Sequence, residues 1–156
     1  MTENIIHLVK IVSNQLSRKM NKFAKQFGLT GVQIQIIDYL NHLPQNQFVY
    51  QKDIEREFNI RRSTATSVLQ KMEENQLIMR NVSPSDSRIK IISALPKAEE
   101  IQPQISEFLA ATNTELLNSI STFQRRGFLK ALDKISTELA AEEKKEHNNN
   151  DTEHPL

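Results

Sequence analysis

Cysteine and tryptophan are absent from the 156 residues, and glycine occurs only three times. Without cysteine there is no disulfide framework, no thiolate metal site and no thiol redox sensor. So few glycines, beside long stretches of helix formers, argue against an all-β chain, which needs more turn residues and more β-branched alternation. The expected class is therefore mostly α. Long apolar runs are missing too. Met1 to His7 carry no basic stretch leading into an apolar one, and nowhere do about 18 apolar residues run together, so the expectation is a cytoplasmic protein with no membrane partner. His7, His42, His147 and His154 show no ligand spacing, so neither a metal nor another cofactor is expected. No glycine-rich phosphate loop, histidine-centred triad or paired-carboxylate motif is found, which argues against an enzyme.

A chain of this length builds one domain with a real core, or a small domain elaborated by extra helices. Its net charge of +1 says little about partners, but the charges are unevenly placed. Residues 1–96 hold 13 Lys/Arg against 8 Asp/Glu, and residues 97–156 hold 7 against 11. The basic surplus thus accompanies the N-terminal part, although ordinary scatter of solvated charge produces such splits as well.

Ile5, Val9, Val12, Leu16, Met20, Phe23 and Phe27 recur at steps of three and four, which predicts a long helix with one apolar stripe and a basic far side (Lys10, Arg18, Lys19, Lys22, Lys25). Gly28 ends it. Thr30 and Gln33 then form a candidate capping box, with Leu29 and Ile34 as a hydrophobic staple, opening a second helix that buries Val32, Ile36, Ile37 and Leu40. Leu43-Pro44 and the Gln45-Asn46-Gln47 loop close that helix. After an extended piece, Phe48-Val49-Tyr50, a two-turn helix is expected over Gln51–Phe58, with Ile54 and Phe58 inward, then a left-handed turn at Asn59. From Arg61 or Arg62 to Glu74 a third helix buries Ala65, Val68, Leu69 and Met72.

Two β-prone runs follow, Leu77–Val82 and Ile89–Ser93, separated by a turn holding Pro84 and Asp86, so they should pair as a hairpin. Beyond Pro96 a helix with Ile101, Ile105, Phe108, Leu109, Leu116, Leu117 and Ile120 is expected to break near Ser119–Thr122. Pro103 either lies early in it or kinks it. Ser121 and Gln124 are a capping box for a last helix bearing Phe128, Leu129, Leu132, Ile135 and Leu139. The end of the chain, residues 146–156, lacks apolar periodicity and is expected to be disordered.

The order helix, turn, helix, hairpin over Gln51–Leu95 is that of a winged helix-turn-helix. The second helix of such a unit needs short donors and acceptors for base edges, and Ser63, Thr64, Thr66, Ser67 and Gln70 provide them on a face free of acid until Glu73. Four Ser/Thr in mid-helix disfavour the helix locally, so their presence calls for a reason; the plain one is that Ser63 or Thr64 caps the helix and the rest are neutral surface. Arg61, Arg62, Lys71 and Lys52 are candidate phosphate contacts, or simply solvated charges. Near the hairpin tip, Asp86 and Arg88 stand two residues apart. The carboxylate can aim the guanidinium into a narrow minor groove, or the two can form an exposed pair worth ~0 to 1 kcal/mol.

Leu29-Thr30 opening a helix, Ile60-Arg61-Arg62-Ser63-Thr64-Ala65-Thr66, Leu69-Gln70-Lys71-Met72-Glu73, Leu77-Ile78 and Ser83-Pro84-Ser85-Asp86-Ser87-Arg88 together resemble the MarR family of bacterial transcription regulators. The resemblance implies a homodimer with an N-terminal dimerisation helix over 1–28, a winged helix-turn-helix over 29–95 and C-terminal dimerisation helices over 96–145. It implies a repressor reading an inverted repeat in double-stranded DNA, with Arg88 in the minor groove and Asp86 orienting it. A small apolar or phenolic effector is the ligand class it suggests, in a cleft for which Phe23, Phe27, Ile37, Phe108 or Leu109 are candidates, though such residues are more often core. Two positions depart from the family's habit: Gln76 stands where glycine is usual before Leu77, and Ala94-Leu95-Pro96-Lys97-Ala98 lacks the usual glycine. The alternative is a dimeric protein-interaction module on the same scaffold, with no reading of DNA.

Overall fold

The Asn4 side chain accepts the His7 amide at 3.0 Å and so starts the first helix, α1, Ile5–Ala24. The computed structural model describes residues 4–44 and 47–152, with side chains as far as Lys144. The chain divides into two units, residues 1–108 and residues 109–156.

In the first unit, α1 tightens into a 3-10 turn over Lys25–Phe27 and stops at Gly28, whose φ of 69° is the left-handed conformation that glycine adopts without a Cβ clash. The capping box at Thr30 is fully made: Thr30 N donates to Gln33 Oε1 at 2.9 Å and Gln33 N to Thr30 Oγ1 at 3.3 Å, opening α2, Gly31–His42. Ile34, read from sequence only as half of a staple, is fully buried beside Ile36 and Ile37, whereas Val32 and Leu40 are half-buried. The buried stripe is therefore rotated toward Ile34. Its cause is the close crossing of α1 and α2, where Gly31 N donates to Asn21 Oδ1 at 2.7 Å and a Cβ on Gly31 would lie 2.7 Å from the Met20 Cβ.

Strand β1 (Val49–Tyr50) leads into α3 (Gln51–Glu57) and α4 (Arg62–Glu74), followed by β2 (Ile78–Val82) and β3 (Lys90–Ala94). The hairpin pairs Ile78 with Ala94, Arg80 with Ile92 and Val82 with Lys90. The extended piece before α3 is a third strand: Val49 and Tyr50 pair antiparallel with Ile92 and Ile91, giving the order β1-β3-β2. Among the described residues, Ile34, Ile36 and Ile37 of α2, Ile54 of α3, Leu69 and Met72 of α4, Leu77 before β2, Ile78 of β2 and Ile105 of α5 (Pro96–Asn118) are the fully buried large side chains. The class is mostly helical with a small antiparallel sheet.

Helix α5 crosses from the first unit into the second. Pro103 lies well inside it rather than in its first turn, so Glu99 O has no amide donor at that position. Ser121 and Gln124 make the second capping box, with Ser121 N donating to Gln124 Oε1 at 3.3 Å and Gln124 N to Ser121 Oγ at 3.4 Å. Helix α6 then runs Thr122–Thr152. It thus enters the segment expected to be disordered, carried by the strong helix formers Ala140-Ala141-Glu142-Glu143-Lys144. Residues 153–156 of that expectation lie outside the described residues.

The apolar stripe of α1 is only half covered. Leu16, Met20, Phe23 and Phe27 are half-buried, while Ile5, Val9 and Val12 are exposed; on α6, Leu129, Leu132, Ile135 and Leu139 are exposed as well.

Gly31→Ala is expected to destabilise the protein by about 1 to 3 kcal/mol, because the added methyl meets Met20 and the Asn21 backbone, and this outweighs alanine's better helix propensity. Urea unfolding of the two proteins checks it; equal midpoints would refute the close crossing.

Candidate nucleic-acid interface

The rotational setting of α4 is fixed by burial. Ala65, Leu69 and Met72 are buried, so Arg62, Ser63, Thr64, Thr66, Ser67, Gln70 and Lys71 are left exposed, with Arg61 before them at the helix cap. Lys52 is exposed on α3. The joint between the helices is Asn59, at φ 45°, after which Ile60 N donates to Glu55 O at 3.0 Å.

The hydroxyls on this face are accommodated within the helix. Thr66 Oγ1 donates to Arg62 O at 2.8 Å and Ser67 Oγ to Ser63 O at 3.0 Å, the four-back bond that lets such residues sit in mid-helix. Neither Ser63 nor Thr64 caps the helix. The cap position is Arg61, which makes no side-chain cap bond, so the plain reading of these two residues falls away. A residue that sequence reasoning missed is Gln51, at the start of α3. Its Nε2 donates to Thr66 Oγ1 at 2.9 Å and to Glu55 Oε1 at 3.0 Å, with Arg62 O at 3.4 Å, tying α3 to the first turns of α4.

The acid that meets this face is Glu74 rather than Glu73. Glu74, one turn on, holds Lys71 Nζ at 3.5 Å and Gln70 Nε2 at 3.3 Å. Glu73 turns instead toward the hairpin, where Arg80 Nε donates to its Oε2 at 2.9 Å. Hydrogen bonding from Arg80 outweighs the opposing effect of burial and holds the Glu73 carboxyl below its usual range. Lys52, Arg61 and Arg62 have no ion-pair partner among the described residues and remain available to an anion.

Gln76 takes the left-handed conformation, φ 59°, that glycine would take at lower cost, and Lys97 Nζ donates to the Asn75 carbonyl at 2.8 Å to finish the helix end. The wing turn is held locally. Ser83 N donates to Ile89 O at 2.8 Å and Ile89 N to Asp86 O at 3.1 Å. Asp86 Oδ1 accepts the Arg88 amide at 2.9 Å and its Nε at 3.3 Å, so one carboxylate oxygen fixes both the backbone and the root of the guanidinium. The Arg88 side chain is 89% exposed against 32% for Asp86, so the arginine projects while its partner stays at the surface of the turn. Among the described residues, no hydrogen bond or ion pair joins Arg88 to α4.

Three of the candidate cleft residues engage one another. Phe23 stacks on Phe108 with centroids 3.9 Å apart, Phe27 meets the edge of Phe23, and Ile37 is fully buried. Phe27 borders a pocket of about 230 Å³, with Gly28, Leu29, Asn75, Leu77, Lys97 and Ile101. Among the described residues no group of three His, Asp or Glu can hold a metal ion, and no helix is long and apolar enough to cross a membrane.

Residues 27–89 match the model of the MarR family. The chain is similar in structure to the transcription regulator MarR from Oenococcus oeni PSU-1, with 36% identity, 86% of this chain and 99% of the other covered, and a TM-score of 0.75. MepR of S. aureus in its DNA complex shares the fold at 21% identity, 87% and 98% coverage and a TM-score of 0.80. So does a Listeria monocytogenes protein solved with 26-mer DNA, at 19% identity, 90% and 92% coverage and a TM-score of 0.79. No curated protein matches the sequence.

Glu73→Gln is expected to flatten part of the acid limb of stability. A carboxyl held low by its partner contributes above the ordinary glutamate range, and that contribution is lost as pH falls through the folded value; partial exposure keeps it under about 1 kcal/mol. Thermal midpoints between neutral pH and pH ~3 for both proteins check this, and parallel curves would refute it.

Proposed function

Because the chain belongs to the MarR family of winged-helix transcription regulators, which bind DNA, we propose that it is a cytoplasmic repressor whose homodimer reads an inverted repeat in duplex DNA. The observation that carries this reading is the pairing of an outward hydroxyl-rich face on α4 with an outward arginine on the wing. The helix suits the base edges of a major groove, while Arg88, aimed by Asp86, suits the adjacent minor groove. Lys52, Arg61, Arg62 and Lys71 surround them as phosphate contacts, which set affinity and register rather than sequence. Ser63, Thr64, Thr66, Ser67 and Gln70 are the readers.

Dimerisation is supported by the exposed apolar residues of α1 and α6, since soluble proteins rarely leave such stripes in water. Two recognition helices related by a twofold axis then meet successive major grooves about 34 to 36 Å apart. A small apolar or phenolic effector that releases the repressor belongs to the same proposal. Members of this family regulate transcription and are not enzymes.

Selection of duplexes from a random library by the purified protein, at two salt concentrations, tests the proposal. The expected result is an inverted repeat with half-sites about one helical turn apart. Arg88→Ala should bind that repeat on the order of tenfold or more weakly with folding intact. Arg61→Ala should instead weaken all sequences alike and lower the salt slope by about one for each phosphate that it no longer neutralises. An Arg88→Ala protein that binds as tightly as the parent would remove the minor-groove role. A folded dimer that enriches no sequence even at low salt would favour a protein partner instead.

A further inference from the structure

We propose that Thr66 reads a thymine through its methyl group, and that Gln51 is the positioning residue that makes it do so. The inference rests on the DNA-binding reading above and specifies one base of the site. Among the hydroxyl residues of the exposed α4 face, Thr66 is engaged on both sides: its hydrogen goes to Arg62 O at 2.8 Å, and its oxygen accepts from Gln51 Nε2 at 2.9 Å. Among the described residues, Ser67 donates backward to Ser63 O but accepts from no side chain, and the hydroxyls of Ser63 and Thr64 have no partner. These three can exchange hydrogen bonds with a base. Thr66 has its only donor hydrogen already committed.

Threonine has a single side-chain torsion that moves heavy atoms, so fixing the hydroxyl also fixes the methyl. The back-bond to Arg62 O selects that torsion, and the second bond, from a residue of another helix, holds it against exchange with water or a base. With the hydroxyl committed on both sides, the methyl is the group that the exposed Thr66 has left to present to a groove. In the major groove thymine alone among the four bases carries a methyl of its own, and contact between the two is an apolar mode of base recognition. Gln51 is itself fixed by Glu55 Oε1 at 3.0 Å, so the constraint is anchored on α3 rather than on the reading helix.

The test uses the full-length protein and the tightest duplex it enriches, with each thymine replaced singly by deoxyuridine, which lacks only the methyl. Wild-type protein is expected to lose roughly fourfold in affinity at one thymine in each half-site, and on the order of tenfold when both are replaced, the loss that goes with one buried methyl-sized group. Thr66→Ser, which keeps the hydroxyl and lacks the methyl, should bind the thymine and uracil duplexes alike. Thr66→Val, which keeps the methyl and lacks the hydroxyl, should retain the difference. Gln51→Ala should shrink it while leaving the salt slope unchanged, a pattern that simple loosening of the fold would not give. Absence of any methyl-sensitive thymine in a duplex the protein does bind, or a difference that survives Thr66→Ser, overturns the inference and leaves the DNA reading in place. A full difference in Gln51→Ala overturns the positioning role. Failure to enrich any duplex overturns both readings.

Discussion

Burial of Ala65, Leu69 and Met72 sets the phase of α4, and almost everything offered to a partner follows from that phase. A helix turns about 100° per residue, so a slip of one position would carry a hydroxyl into the core and a leucine into solvent. The three inward residues are held by an apolar core drawn from α2, α3, β2 and α5, so the exposed face of α4 is set by side chains that are themselves buried. Arg80 adds a polar check on the same setting, because its guanidinium meets Glu73 only when that glutamate faces the hairpin.

Features whose partners lie within one helical turn were legible in the sequence. The capping boxes at Thr30 and Ser121 are spaced so that each pair meets as soon as a helix begins. Likewise Asn59 was readable as a left-handed joint, and Gln76 as a position where glycine would be easier. Contacts across elements left no local trace. The bond from Gln51 to Thr66 spans 15 residues, and that from Ser106 on α5 to Asp38 on α2 spans 68. The third strand was hidden because two residues carry no alternation to detect. Ile34 was underestimated because its burial depends on how closely Gly31 lets α2 approach α1, a distance that periodicity does not contain.

The hydroxyls of α4 illustrate how composition and geometry differ as evidence. As a composition they suggest one undivided polar surface. Their hydrogen bonds divide them into groups committed to the protein, at Thr66 and in part Ser67, and groups left open, at Ser63 and Thr64. Glu74 divides the lower part of the face in a similar way by drawing Gln70 and Lys71 toward itself. Any partner must displace these contacts or use what remains.

The wing turn is closed by bonds that begin and end between Ser83 and Ile89, and none of them reaches α4. Energetic effects of changes at well-separated sites sharing no partner tend to add rather than couple. Substitutions in this short segment therefore alter the shape and charge of the tip without disturbing the helix, and substitutions on the helix leave the tip unchanged. In evolutionary terms the hairpin tip and the exposed face of α4 are separable traits, so a lineage can change one while the other is kept.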